Sequence, residues 1–126
     1  MNNPKEKLRK FLNENGIVET SKITSLPYSR IIQDFGLDYK TFDDIEFKPH
    51  PLGNGIQGVI TFDNDYGASV VQTETSYGGK SGLYEMAILD KMGHLMYTTQ
   101  ITDDVIGYLT PEQVTEKLIQ IQDLKK

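Results

Sequence analysis

The tripeptide Gly79-Lys80-Ser81 is the first candidate for a functional site, because it matches the end of a phosphate-binding loop. Such a loop also needs a glycine five residues before Gly79, where this chain has Glu74, and a helix after it that directs amide groups at the phosphates. The alternating residues that follow predict a strand instead. We therefore reject a nucleotide site and interpret residues 76–82 as an exposed, mobile connection between strands.

A second acidic pattern matches part of a calcium-binding loop. Asp63, Asp65 and Glu74 stand at the first, third and twelfth positions, but the sixth position, which requires glycine, is Ala68. The flanking residues alternate as strands do, and turns rich in Asp and Asn are common for local reasons. We interpret residues 63–67 as a hairpin turn and expect no metal ion.

The two histidines, His50 and His94, offer the remaining metal or hydrolytic chemistry. Either would need carboxylates brought close by folding, from Glu85, Asp103 or Asp104. Nothing in the spacing indicates that convergence, and acidic residues such as Asp103 and Asp104 are also favoured in the first turn of a helix. A small metal-dependent or hydrolytic enzyme therefore stays an alternative, with surface turns as the expected place of both histidines.

Tyrosine is the notable residue type, since the chain has 7 tyrosines and neither tryptophan nor cysteine. Tyrosine is enriched in recognition surfaces because it brings a large contact area at small entropic cost. Tyr77, Lys80 and Tyr84 follow one another through the glycine-rich connection into the next strand. They predict a binding patch at one end of the sheet. The alternative for Tyr84 is packing at the edge of the core, beneath a helix.

The sequence predicts a helix near each end of the chain. Residues 1–16 predict a short N-terminal helix, with Pro4 at its first position and Gly16 as its end. Residues 17–44 are irregular, with a turn or two of helix around residues 29–34. Residues 110–124 predict an amphipathic C-terminal helix with a capping box and an apolar stripe. The stripe comprises Val114, Leu118, Ile121 and Leu124, with Ile119 at its edge.

Residues 45–99 predict an antiparallel sheet of two consecutive hairpins. Residues 56–62 and 68–73 alternate around the turn at residues 63–67. Residues 83–89 are apolar on both faces and predict a central strand covered on both sides, with residues 94–99 returning beside it. Pro49, His50 and Pro51 are expected to leave the ladder, because proline cannot donate a hydrogen bond. The expected fold is α+β, with the C-terminal helix packed on one face of the small sheet.

Composition narrows the class of protein. A chain of 126 residues fits a single domain, and a net charge of −5 argues against nucleic-acid binding. No run approaches the roughly 20 apolar residues of a membrane span. The absence of cysteine and of a leader-like start favours the cytoplasm, and no cofactor is expected.

The second half of the chain also resembles a family. The matching residues are 76–79, 82–89, 93, 97 and 101–110. They resemble small uncharacterised proteins encoded by phages and prophages of low-GC bacteria, over about residues 45–124. The resemblance brings no established activity and assigns no residue a role. It implies a phage accessory or host-takeover protein rather than a metabolic enzyme.

Together these features favour a non-enzymatic phage-type accessory protein that binds a host or phage protein. The alternatives are the enzyme built on His50 or His94 with nearby carboxylates, and a structural subunit of the virion. The net negative charge, the abundant tyrosine, the absence of catalytic motifs and the resemblance favour the first.

Overall fold

The computed structural model describes residues 4–16, 25–96, 99, 101–102 and 105–125. Within them, five strands form one antiparallel sheet in chain order. The strands are β1 (Lys48–Pro49), β2 (Gly55–Thr61), β3 (Gly67–Thr73), β4 (Tyr84–Leu89) and β5 (Ile106–Leu109). The helices are α1 (Pro4–Glu14), α2 (Tyr28–Phe35) and α3 (Pro111–Gln122), with single 3-10 turns at Phe42–Asp44 and Gly79–Ser81. The predicted α+β fold is confirmed.

One face of the sheet forms the core. Val70 of β3 pairs with Gly58 of β2 on one side and with Met86 of β4 on the other, so these positions share a face. The buried residues of this face are Ile60, Ala68, Val70, Met86, Ile88 and Leu109. The side chains between them, such as Val59 and Val71, leave the sheet on its opposite face.

The C-terminal helix α3 covers the core face. Val114, Leu118 and Ile121 are 0% exposed and belong to the same cluster as the sheet residues. Burying each such side chain contributes about 1.5–3 kcal/mol. The predicted capping box is present, since Gln113 N–H donates to Thr110 Oγ1 (3.2 Å) and Thr110 N–H donates to Gln113 Oε1 (2.9 Å).

The other two helices form a smaller core of their own. Leu8 of α1 and Ile31 of α2 are buried against each other, surrounded by Leu12, Leu26 and Leu37. The helix expected around residues 29–34 is thus present as α2, and residues 17–24 lie outside the described part of the chain. The N-terminal helix docks on α2 through Leu8.

One detail of the predicted sheet is wrong. Pro49 does not leave the ladder but pairs with Ile56 in β1, which is tolerated because β1 is an edge strand with solvent on its other side. Residues 94–96 return beside β4 as expected, since Leu95 forms an antiparallel bridge with Leu89 and Met96 N–H donates to the Ile88 carbonyl (2.8 Å). Residues 97 and 98 lie outside the described residues. The strand that follows β4 in the sheet is β5.

Asn64 joins the β2–β3 turn to the end of α3. Its Nδ2 donates to the carbonyls of Ile121 (2.8 Å) and Leu124 (3.0 Å), and its Oδ1 accepts from Tyr66 N–H (3.2 Å). The last carbonyls of a helix have no partner within the helix, so this side chain supplies one. Asn64 of the Asx-rich turn therefore has a structural role.

We expect Asn64→Ala to lower the free energy of unfolding by about 1–3 kcal/mol, because it removes the hydrogen bonds from Asn64 Nδ2 to the carbonyls of Ile121 and Leu124. Urea denaturation followed by circular dichroism measures this change. Asp63→Ala, one residue earlier and exposed, is the control and should change stability by less than about 0.5 kcal/mol. Equal effects of the two substitutions would contradict the capping role.

Candidate functional site

Tyr77 and Tyr108 are the two exposed tyrosines of the described residues, and both lie near β5. They are 58% and 63% exposed. Tyr77 precedes Gly78 and Tyr108 follows Gly107, and each tyrosine lies against the other's glycine. A Cβ on Gly107 would overlap the Cβ of Tyr77, and a Cβ on Gly78 would lie 3.2 Å from Cδ1 of Tyr108. The two glycines therefore allow the two tyrosines to approach.

A bulge in β5 sets the direction of Tyr108. Tyr84 pairs with Leu109 and Met86 pairs with Ile106, so two residues of β5 oppose one residue of β4. Bulges re-aim side chains and are common beside functional sites. Tyr108 also has a φ of 57°, in the left-handed region where a non-glycine residue is strained. The backbone strain therefore occurs at a residue that is mostly exposed to solvent.

Backbone hydrogen bonds hold Tyr77 beside Tyr108. Tyr108 N–H donates to the Tyr77 carbonyl (3.1 Å), and Tyr77 N–H donates to Glu85 Oε1 (3.1 Å). Ser76 and Thr73 exchange three further hydrogen bonds, including Thr73 N–H to Ser76 Oγ at 2.9 Å. The connection at residues 76–82 is exposed in part, as predicted, but it is a hydrogen-bonded turn.

The predicted patch of Tyr77, Lys80 and Tyr84 is divided between two surroundings. Tyr84 lies on the core face, where its ring packs at 5.1 Å from Phe42 and 5.6 Å from Phe47. Lys80 is exposed in the 3-10 turn Gly79–Ser81. Tyr77 lies against Tyr108, which the sequence did not single out. Binding by the three residues stays a prediction, and the geometry gives Tyr77 a different aromatic neighbour.

The histidines lie at opposite ends of the sheet. His50 N–H donates to the Gly55 carbonyl at the start of β2, and Asp90 N–H, just after β4, donates to the His94 carbonyl. The seven residues of β3 separate these ends by about 20 Å. Among the described residues no group of three His, Asp or Glu side chains is placed to hold a metal ion. Asp103 and Asp104 lie outside the described residues.

A polar cluster links α1 to the end of α3. The Lys7 ammonium contacts the Tyr39 hydroxyl and lies 3.5 Å from Asp123 Oδ1, which accepts from the Tyr39 hydroxyl at 2.8 Å. Partial burial raises the pKa of Tyr39 above its ordinary value; the hydrogen bond to Lys7 opposes this change and Asp123 adds to it. The cluster joins three segments, which indicates a structural role.

Open grooves lie elsewhere on the described surface. One of about 380 Å³ is lined by Tyr39, Lys40, Asn64 and Gln122. Gln122 exchanges hydrogen bonds of 2.9 Å with both backbone groups of Lys40, and Asn64 caps α3. The side chains of Asn64 and Gln122 therefore hold the fold together, and the carboxylates of Asp38 and Asp63 also line the groove.

No protein-family model, curated protein or solved structure matches this chain. Among the described residues, none of the helices has both the length and the hydrophobicity that a membrane span requires. The function must therefore be argued from the geometry of the chain itself.

We expect stability to fall as the pH rises above about 10, because the folded state holds the Tyr39 proton more tightly than the unfolded chain does. The contribution is complete below the unfolded pKa and is lost as the pH passes the raised folded pKa. Tyr39→Phe should lower stability at pH 8 by about 1 kcal/mol and make the alkaline decline shallower. Urea unfolding between pH 8 and 11 tests this, with Tyr77→Phe as the control. A decline of unchanged slope in Tyr39→Phe would contradict the assignment.

We expect Tyr108→Gly to keep the free energy of unfolding within about 1 kcal/mol of the parent, because relief of the left-handed strain offsets the lost ring contact. Leu109→Ala, at the neighbouring position that is 5% exposed, should cost about 2–5 kcal/mol. Thermal and urea unfolding measure both variants. A loss above about 2 kcal/mol in Tyr108→Gly would show that the ring stabilises the fold.

Proposed function

We propose that the protein is a non-catalytic, phage-type accessory protein that binds a protein partner through Tyr77 and Tyr108. The observation that carries the proposal is the conformation of Tyr108, with a φ of 57° and 63% of its surface exposed. Strain at a non-glycine residue clusters at functional sites. A tyrosine whose ring is mostly in water gains little from folding to offset that strain, so a contact outside the chain accounts for it better.

The shape of the site favours a protein over a small molecule. Small-molecule sites are concave and bury most of their ligand. Tyr77 and Tyr108 instead project from an edge of the sheet, with more than half of each residue exposed. Rigid aromatic side chains that project in this way are typical anchors of protein interfaces.

The face of the sheet opposite α3 adds exposed surface beside the two tyrosines, although Ala87 and Leu89 on that face are buried. Glu85 pairs with Val71, which pairs with Gln57, so these three side chains form a row across the sheet next to Tyr77. Val59, at 54% exposure, lies on the same face in the next row. A specific interface needs about 800 Å² from each partner, and this mixed apolar and polar surface extends the tyrosine pair in that direction.

The test is capture of a partner from a lysate of a low-GC bacterial host, followed by measurement of its affinity. Tyr77→Ala and Tyr108→Gly should each weaken binding by tenfold or more, since anchor residues contribute about 2 kcal/mol or more. Lys80→Ala should weaken it less. Phe11→Ala is the matched control, because Phe11 is also 58% exposed but lies on α1.

Two results would contradict the proposal. One is a partner whose affinity falls as much with Phe11→Ala as with the two tyrosine variants. The other is a set of captured proteins identical for the parent and a Tyr77→Ala/Tyr108→Gly double variant. Either result would move the search to another surface of the molecule.

A further inference from the structure

The Glu85 carboxylate is the charged group that contacts the backbone of Tyr77. Its Oε1 accepts from Tyr77 N–H at 3.1 Å. Among the described residues this is its one hydrogen bond, and none of the ion pairs there includes it. Glu85 is partly buried in β4, directly across from the bulged residues Gly107 and Tyr108. A partly buried carboxylate with one oxygen free and no counter-charge has capacity for a cationic donor.

The two tyrosines add a second preference for a cation. The face of an aromatic ring attracts an ammonium or a guanidinium group, and arginine also stacks flat on such rings. Tyr77 and Tyr108 are both more than half exposed, and a backbone hydrogen bond from each ties it to this site. A guanidinium group has a planar surface for a ring and a fork of N–H donors for a carboxylate oxygen.

The charges on the surrounding elements agree with this preference. The segments that form the site, residues 74–85 and 106–109, carry Glu74, Lys80 and Glu85, and the whole chain has a net charge of −5. Lys80 is exposed, and the structure gives it no ion pair with Glu85 within the described residues. The electrostatic field of the site therefore favours a basic partner surface over an acidic one.

We propose that Tyr77, Tyr108 and Glu85 together bind an arginine side chain of the partner protein. This inference rests on the proposed function and names the chemistry that the partner presents. The guanidinium stacks on the exposed tyrosine rings and donates to the free oxygen of Glu85, while the other oxygen keeps its hydrogen bond from Tyr77.

The test uses acetyl-Gly-Arg-Gly-amide as the probe and its citrulline analogue as a neutral isostere, titrated into isotopically labelled protein and followed by NMR. We expect the arginine peptide to bind about fivefold more tightly than the citrulline peptide, with the largest shift changes at Tyr77, Glu85 and Tyr108. Glu85→Gln keeps an acceptor for Tyr77 N–H and should abolish the difference between the peptides. Glu74→Gln, on the same connection, should preserve it.

Equal binding of the two peptides, shifts confined to other residues, or no binding of either peptide would each overturn the arginine assignment. So would a preference for arginine that persists in Glu85→Gln. If the captured partner still depends on Tyr77 and Tyr108 in those cases, the proposed function stands and only its arginine chemistry fails.

Discussion

Burial of the α3 stripe against the core face of the sheet is the interaction on which the rest of the structure depends. Val114, Leu118 and Ile121 have no exposed surface, and neither do Val70 and Ile88 in the sheet. Neither element could keep its apolar side in water, so each supplies the other's core. Because α3 occupies the core face, exposed side chains of the described strands such as Val59 lie on the opposite face.

Polar side chains of α3 form hydrogen bonds with the backbone of residues 28–42, which include irregular segments. Thr115, which is 2% exposed, accepts a hydrogen bond from Phe42 N–H (3.0 Å), and Glu112 accepts one from Tyr28 N–H (2.6 Å). Gln122 pairs with the backbone of Lys40 further along the helix. The chain from α2 to Phe42–Asp44 thus follows α3 by satisfying backbone groups on its side chains, as ordered irregular segments must.

Local patterns predicted the elements that local interactions stabilise. The capping box at Thr110, the helical stripe behind it and the alternation in β2 and β3 are visible in the sequence because each depends on residues a few positions apart. The strand β5 was missed, since its four residues include Gly107 and a tyrosine in a left-handed conformation. Its position depends on pairing with β4 and on a hydrogen bond to Tyr77, which is about thirty positions earlier in the chain. The periodicity of a short stretch of sequence does not reveal such distant contacts.

The candidate site also combines features that the local sequence predicts with features that depend on distant contacts. Tyr77 was singled out because glycines surround it, and exposure of such a residue follows from its own neighbourhood. Tyr108 has a comparable signal in the adjacent Gly107, but its role as the neighbour of Tyr77 is set by the bulge. Tyr84 was grouped with Tyr77 by proximity in sequence, whereas strand alternation places it on the core face with Phe42 and Phe47.

The identity of residue 108 is the sharpest physical clue to function. A left-handed position at an exposed bulge is best filled by glycine or asparagine, and a tyrosine there is disfavoured by roughly 1–2 kcal/mol. The ring recovers part of that through its contact with Gly78, yet most of the residue remains in water. Gly78 and Gly107 each have a conformation or a space that a larger residue could not adopt, so three positions are constrained to keep two tyrosines exposed together. The proposed partner would account for that arrangement by burying both tyrosine side chains.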